Sequence, residues 1–191
     1  MGHVKALPVI VAVTGASGAP YARRLFRFLA HQGVPTHGVV SSAGRFVYRL
    51  ETGRPLEEDL PAGIPLYAED AFTAPIASGS FRTRGMVIVP CTMGTLAAVA
   101  NGLANNLIHR AADVCLKERR PLIVVPRETP LSAVHLKNML ALTEAGAVVL
   151  PPAPGFYHQP RTVDDLVDFV VGRILDHLGI PHDLVAPWQG L

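Results

Sequence analysis

The hydrophobic positions of this chain follow two rhythms. Short, wholly apolar runs rich in Val and Ile, such as Val9-Ile10-Val11-Ala12-Val13, alternate with longer stretches in which apolar residues recur every three or four positions. The first rhythm predicts parallel strands covered on both faces, the second amphipathic helices. Strands are expected over 9–14, 36–41, 85–90, 121–126 and 147–150, with a weaker one near Leu66–Tyr67. Helices are expected over 20–32, 43–51, 93–103, 105–119, 132–145 and 162–178. Strands and helices that alternate within 191 residues predict one domain, 1–191, with a parallel sheet between two helical layers. The stretch 52–84 is rich in Pro and Gly and fits neither rhythm.

In such a fold ligands sit beyond the carboxyl ends of the strands. That rule selects Gly15–Gly18, Ser41-Ser42, Cys91-Thr92-Met93-Gly94-Thr95, Arg127-Glu128-Thr129 and Pro151–Arg161. The turn Gly15-Ala16-Ser17-Gly18 lacks bulk, so backbone can approach a ligand, and Pro20 suits the first turn of a helix. The free N–H groups of that helix are expected to face a phosphate, with the Ser17 hydroxyl beside it. The second strand ends in Ser41-Ser42 where an NAD site needs Asp or Glu, and the glycines do not spell GxGxxG. A mononucleotide such as FMN is favoured over NAD.

Composition narrows the classes. Hydrophobic residues make up 49% of the chain and charged ones 17%, yet no uncharged apolar run reaches the roughly 18 residues of a membrane span. The apolar surplus is therefore expected in subunit interfaces. A net charge of +2 with both signs interspersed gives no footprint for nucleic acid or a membrane surface. The opening Met1–Pro8 lacks a signal-peptide pattern, and Cys91 and Cys115 allow one disulfide at most, so a reduced, cytoplasmic setting is expected. The eight histidines show no ligand spacing, and no metal is expected.

Several polar groups have both a structural and a functional reading. Thr92 or Thr95 can cap a helix or line the ligand edge. Cys91 has no base beside it and reads as a core thiol. Arg110, Asp113 and Lys117 form one stripe of the helix from Asn105, either a salt-bridge ladder or part of a site. Arg127 and Glu128, at the end of a buried strand, face solvent or line the pocket. Thr162-Val163-Asp164-Asp165 reads as a capping box, which also accounts for the magnesium-like DDxxD spelled by Asp164–Asp168. Arg173 is expected on the apolar face of Leu166, Phe169, Val170 and Ile174, where it needs a partner and so reads as functional. Tyr157-His158 sits in a Pro-rich loop as packing or as a substrate contact.

Taken in order, Thr14–Ala19, Ala77–Ser80, Pro90–Leu96, Asn105–Val114, Leu116–Arg120, Val125–Glu128, His135–Met139 and Pro154–Pro160 resemble the flavin prenyltransferases of the UbiX family over nearly the whole chain. The resemblance implies a flavodoxin-like or Rossmann-like three-layer α/β sandwich, assembled as a homododecamer of trimers. It implies transfer of a dimethylallyl group from dimethylallyl monophosphate to N5 and C6 of reduced FMN, without a metal. The product, prenylated FMN, would serve a UbiD-type decarboxylase. The resemblance places Gly15, Ala16, Ser17, Ser41, Thr92, Met93, Gly94, Thr95 and Arg127 around FMN. It gives the prenyl phosphate to Tyr157 and Arg173, supported by Lys117 and Arg110. Ser17, Glu51 and Glu128 would be the catalytic polar groups, with Ser17 near flavin N5 and Glu128 orienting the cations. Glu51, at the end of the second helix, reads from its own surroundings as a surface residue. Phe72 stands where relatives often carry Trp, a better cation–π partner. The competing readings are an FMN-dependent peptidyl-cysteine decarboxylase, whose PASANT-like segment the chain lacks, and a flavin carrier without chemistry. The tail Ile180–Leu191 is expected against a neighbouring subunit.

Overall fold

A computed structural model describes residues 6–188 and 190, so the signal-peptide reading of Met1–Lys5 and the ends of the tail at Gln189 and Leu191 lie outside the described residues. Six strands form one parallel sheet: β1 (Val9–Val13), β2 (Thr36–Val40), β3 (Leu66–Ala68), β4 (Gly85–Cys91), β5 (Leu122–Pro126) and β6 (Val148–Val149). Seven α-helices connect and cover them: α1 (Ala19–His31), α2 (Ser42–Thr52), α3 (Leu56–Asp59), α4 (Met93–Ala100), α5 (Leu107–Lys117), α6 (Ala133–Glu144) and α7 (Val163–Leu178). The spatial order is β3-β2-β1-β4-β5-β6, with Val9 opposite Thr36 on one side and Gly85 on the other. This is the expected three-layer sandwich in its Rossmann-like strand order, and the order reverses between β1 and β4.

Alternation along each strand divides the core. Val9, Val11, Val13, Val87, Val89, Ile123 and Val125 face α1 and α7, where Leu25, Phe26, Leu29, Val171 and Leu175 are buried. Ile10, Ala12, Met86, Ile88, Leu122 and Val124 face α4, α5 and α6. Each large side chain so buried contributes roughly 1.5–3 kcal/mol, which is why central strands read as unbroken apolar runs.

The element ends depart from expectation for local reasons. α4 stops at Ala100 because Gly102 turns into the left-handed region at φ 69°, and α5 starts only at Leu107, where the Asn106 side chain accepts from the His109 N–H. α3 and a 3₁₀ turn at Pro75–Ala77 organise the irregular 52–84 stretch. There, the almost fully buried Asp59 carboxylate meets Arg23 at 2.7 Å and Arg27 at 2.8 Å, and accepts from the Tyr48 hydroxyl at 2.7 Å. Burial pushes the Asp59 carboxyl up, but these donors outweigh it and hold it below the ordinary range. The chain beyond α7 folds back along α7 of its own chain, with Ile180 buried and His182 nearly so. Among the described residues no helix is long and apolar enough to cross a membrane.

Candidate functional site

The crevice lies where the strand order reverses, above the carboxyl ends of β1 and β4. Thr14 joins the two loops there. Its hydroxyl donates to the Pro90 carbonyl at 2.8 Å and accepts from the Thr92 N–H at 2.8 Å. Thr92 then caps α4 by accepting from Thr95 N–H at 3.1 Å, and donates to the Thr95 hydroxyl at 3.0 Å. Ser41 caps α2 through Gly44 N–H at 3.0 Å. Capping therefore occurs, and it is also what brings these hydroxyls to the ligand edge.

The small residues explain the close approach of the loops. A Cβ on Gly15 would lie 2.6 Å from the Ala43 Cβ, and one on Gly44 2.6 Å from the Val13 carbonyl. Gly18 sits at φ 128°, closed to side chains, with Tyr21 and Pro90 against it. Gly94 differs: a Cβ there would meet nothing nearer than Thr92 Oγ1 at 4.0 Å. That is open space beside Met93 and Thr95 at the exposed start of a helix, so backbone there is accessible to a ligand. The Arg127 N–H donates to the Cys91 carbonyl at 3.3 Å, which sets Arg127 at the same rim.

One expectation is corrected at the first helix. Its leading N–H groups do not wait for a phosphate. Gly18 and Ala19 donate to Glu51 Oε2 at 2.9 and 2.8 Å. Burial raises the Glu51 pKa, but the Ser17 hydroxyl, these two N–H groups and the nearby Arg127 outweigh it, and the carboxyl falls below its ordinary value. The positive end of α1 thus holds an ionised carboxylate with the Ser17 hydroxyl beside it. A surface-looking Glu at the end of α2 becomes part of the site because α2 crosses the start of α1. Glu69 is a residue that the sequence did not single out. Its Oε1 accepts from both the N–H and the hydroxyl of Ser42 at 2.7 Å, and its carbonyl accepts from Leu107 N–H at 2.7 Å. It fixes the start of α2 beside Ser41, and only its spacing after β3 hints at it.

The remaining predicted residues are not gathered there within one chain. Arg110 donates to the Ala77 carbonyl at 3.0 Å and to Asp113 at 2.8 Å, so this part of the ladder forms. Lys117 pairs with Glu118 at 2.6 Å and not with Asp113. It lies beside Gly79, near the amino ends of the strands, while Ser17 lies beyond the carboxyl end of β1. The separation along the sheet is roughly 16 Å at about 3.3 Å per residue. Glu128 is exposed and accepts from its neighbour Thr129 N–H at 3.1 Å; it touches none of the predicted cations.

Arg173 is also corrected. Its side chain is 53% exposed and pairs with Asp176 at 2.6 Å, because helical spacing turns it away from the buried Val170, Val171 and Ile174. It does share a cavity of about 510 Å³ with Tyr157, Phe169, Asp176, His182 and Trp188. Tyr157 packs edge-on against Phe169 and Trp188 at 5.9 and 5.2 Å. Two of the three DDxxD carboxylates are engaged elsewhere. Asp165 completes the capping box with Thr162, and Asp168 holds Arg24. Cys91 is fully buried and its thiol pKa is pushed far up; that of Cys115 is pushed up to about 12. Neither serves as a thiolate nucleophile.

Comparison with known proteins agrees with this fold. A flavoprotein family model matches residues 2–175. The flavin prenyltransferase UbiX of Pseudomonas aeruginosa is 50% identical, covering 94% of this chain and 93% of its own. The crystal structure of AnUbiX in complex with FMN and dimethylallyl pyrophosphate superposes with a TM-score of 0.94 at 41% identity, over 98% of this chain and all of that one. A dodecameric FMN-dependent UbiX-like decarboxylase from Escherichia coli O157:H7 gives 0.93 at 45% identity, over 96% of this chain and all of that one. An FMN-dependent cysteine decarboxylase of thioviridamide biosynthesis, 17% identical with a TM-score of 0.65, shares the fold alone.

Proposed function

Because the chain belongs to the UbiX family of flavin prenyltransferases, we propose that its β1–β4 crevice binds reduced FMN and that it transfers a dimethylallyl group from dimethylallyl monophosphate to N5 and C6. The observation that carries this reading is the ionised Glu51 docked on the Gly18 and Ala19 N–H groups at the start of α1, next to Ser17. Gly15, Ala16, Ser17, Ser41, Thr92–Thr95 and Arg127 would hold the flavin. Bound and reduced, FMN supplies the electron-rich N5 and C6.

The protein has three tasks: to stabilise the departing phosphate, to exclude water and to move protons. Arg173 and Tyr157 are suited to the first, since charge that develops on a leaving phosphate is best met by fixed donors. Aromatic walls at Tyr157, Phe169 and Trp188 suit the second. Ser17 suits the third: its hydroxyl is polarised by an ionised Glu51, so it can relay a proton from the ring to a base. Glu128 is assigned to the cations that complete the phosphate site rather than to any contact within its own chain.

The Arg173 cavity shares no lining residue with the β1–β4 crevice of its own chain, and α7 ends beside the amino end of β4, where Arg84 meets the Gly179 carbonyl at 3.1 Å. Arg173, Tyr157, Lys117 and Arg110 therefore reach the flavin from further copies. Support comes from the distance along the sheet, from the dodecameric relative, and from apolar side chains left in water. Phe46 and Leu50 on α2 and Val134, Leu136 and Leu140 on α6 are each more than half exposed. The 191-residue chain thus acts as a single flavoprotein domain within a homododecamer, in the cytoplasm, and its product serves a UbiD-type decarboxylase. Incubation with dimethylallyl monophosphate and reduced FMN, followed by mass spectrometry of the flavin, tests the reading. A gain of one five-carbon unit is expected; an unchanged flavin would instead fit a carrier or a decarboxylase.

A further inference from the structure

Asp176 has a place in this cavity that the reaction outlined above does not use. One oxygen, Oδ2, accepts from Arg173 Nη1 at 2.6 Å, and the other, Oδ1, lies 3.1 Å from His182 Nε2. The His182 ring is 10% exposed although it belongs to the tail beyond α7. It fits there because residue 172 is glycine: a Cβ on Gly172 would lie 3.0 Å from His182 Cε1. The same tail carries Trp188, whose ring closes on Tyr157. One carboxylate therefore fixes two things at once, the guanidinium of Arg173 and the segment that walls the cavity.

We propose that Asp176, clamped by His182, is a positioning residue that pre-aims Arg173 at the prenyl phosphate and docks the tail over the pocket. The proposal rests on the reading that Arg173 holds that phosphate. Only Nη1 of the guanidinium is engaged, so Nη2 and Nε remain to meet a phosphate oxygen pair. An exposed arginine must lose rotamer freedom on binding an anion, and a carboxylate that has already fixed the fork removes much of that loss. His182 makes the arrangement stiff, because Asp176 cannot swing away without leaving the buried ring unpaired on both nitrogens; Nδ1 already has no partner.

The test is calorimetric titration of dimethylallyl monophosphate into the protein holding oxidised FMN, which is too electron-poor to react, together with steady-state kinetics. Asp176→Ala is expected to weaken binding about tenfold and to raise KM in step. Because Arg173 also meets the charge that develops on the departing phosphate, kcat at saturation should fall as well, by about tenfold or less, with flavin affinity unchanged. Asp176→Asn should restore binding, since the amide oxygen accepts from Arg173 and its N–H₂ reaches His182. His182→Ala should behave as Asp176→Ala and shift the emission of Trp188, the only tryptophan, whereas His182→Gln should keep both near wild type. Wild-type binding in Asp176→Ala, failure of Asn to restore it, or an unmoved emission in His182→Ala would each overturn the proposal. If the calorimetric series behaves as stated but the flavin gains no five-carbon unit, the prenyltransferase reading fails and the positioning role stands. If turnover is normal and the series is flat, the reverse holds.

Discussion

Replacing Glu51 by Gln separates the charge of this residue from its shape. The carboxylate sits at the positive end of α1, takes two backbone N–H groups from Gly18 and Ala19 at 2.9 and 2.8 Å, and has the Ser17 hydroxyl beside it. A glutamine oxygen can still accept one or two of these bonds but brings no charge to the helix dipole. A partly exposed charge at a helix terminus is worth about 0.3–1 kcal/mol, and up to about 2 where it is partly buried. Glu51 is exposed by its side but docked by its head, so a loss of about 1 kcal/mol is expected. For a chain of 191 residues that lowers Tm by roughly 2–4 °C. The pH dependence has a fixed sign. The folded-state pKa lies below the unfolded one, so this stabilisation is complete above the ordinary Glu value of about 4.3 and fades as pH falls through the lower folded value. The stability gap between wild type and Glu51→Gln should therefore be level at neutral pH and close in acid. Turnover is the second readout: loss of the group that polarises Ser17 should slow prenylation by about 10²-fold, within the usual range for an acid–base group, while flavin absorbance shows FMN still bound. Equal denaturation midpoints at pH 7, or a Glu51→Gln enzyme with full turnover, would refute the view that an ionised carboxylate is held there for chemistry.

Other substitutions test the frame and the assembly. Asp59→Asn leaves Arg23 and Arg27 without their shared carboxylate; because both guanidiniums are partly in water, a cost of about 2 kcal/mol is expected in chemical denaturation, below the figure for a fully buried pair. Gly15→Ala places a methyl 2.6 Å from the Ala43 Cβ; it should push α2 off the first turn, weaken FMN binding at least about tenfold in fluorescence titration, and leave a folded protein. Leu140→Glu, on the exposed apolar side of α6, should lower the assembly mass by light scattering and lose turnover in proportion, because Lys117 would no longer reach a neighbour's Ser17.

Most of the fold was legible because a two-face-buried strand has little choice of residue. β1, β4 and β5 are unbroken apolar runs, and each is found within a residue or two of its expected span. The errors lie where a single side chain decides. Asn106 sets the start of α5 by capping it, and the Arg119 backbone at φ 55° ends the turn that follows. β6 keeps only two residues because an edge strand is held from one side. The 52–84 stretch resisted reading because its order comes from long-range partners: Asp59 is held from α1 and α2, and the Ala77 carbonyl by Arg110, and neither leaves a periodic trace.

The site was legible as a set of strand ends and illegible as a set of partners. Ser17, Ser41, Thr92 and Thr95 follow from topology alone, since a Rossmann-like order forces their loops together at the β1–β4 crevice. Glu51 could not be found that way, because its role depends on how α2 crosses α1, a tertiary fact. Periodicity puts Arg173 on the apolar face, yet its side chain lies in water beside Asp176. Lys117 marks a deeper limit. Sequence order places it at the end of α5, opposite Ser17 across the sheet, so no rearrangement that keeps the sheet can unite the two in one chain. If both act on one substrate, the chemistry requires a neighbour. On the proposed reading, the apolar α2 and α6 side chains left in water offer a surface for it, and assembly and catalysis are then one requirement rather than two properties that happen to coincide.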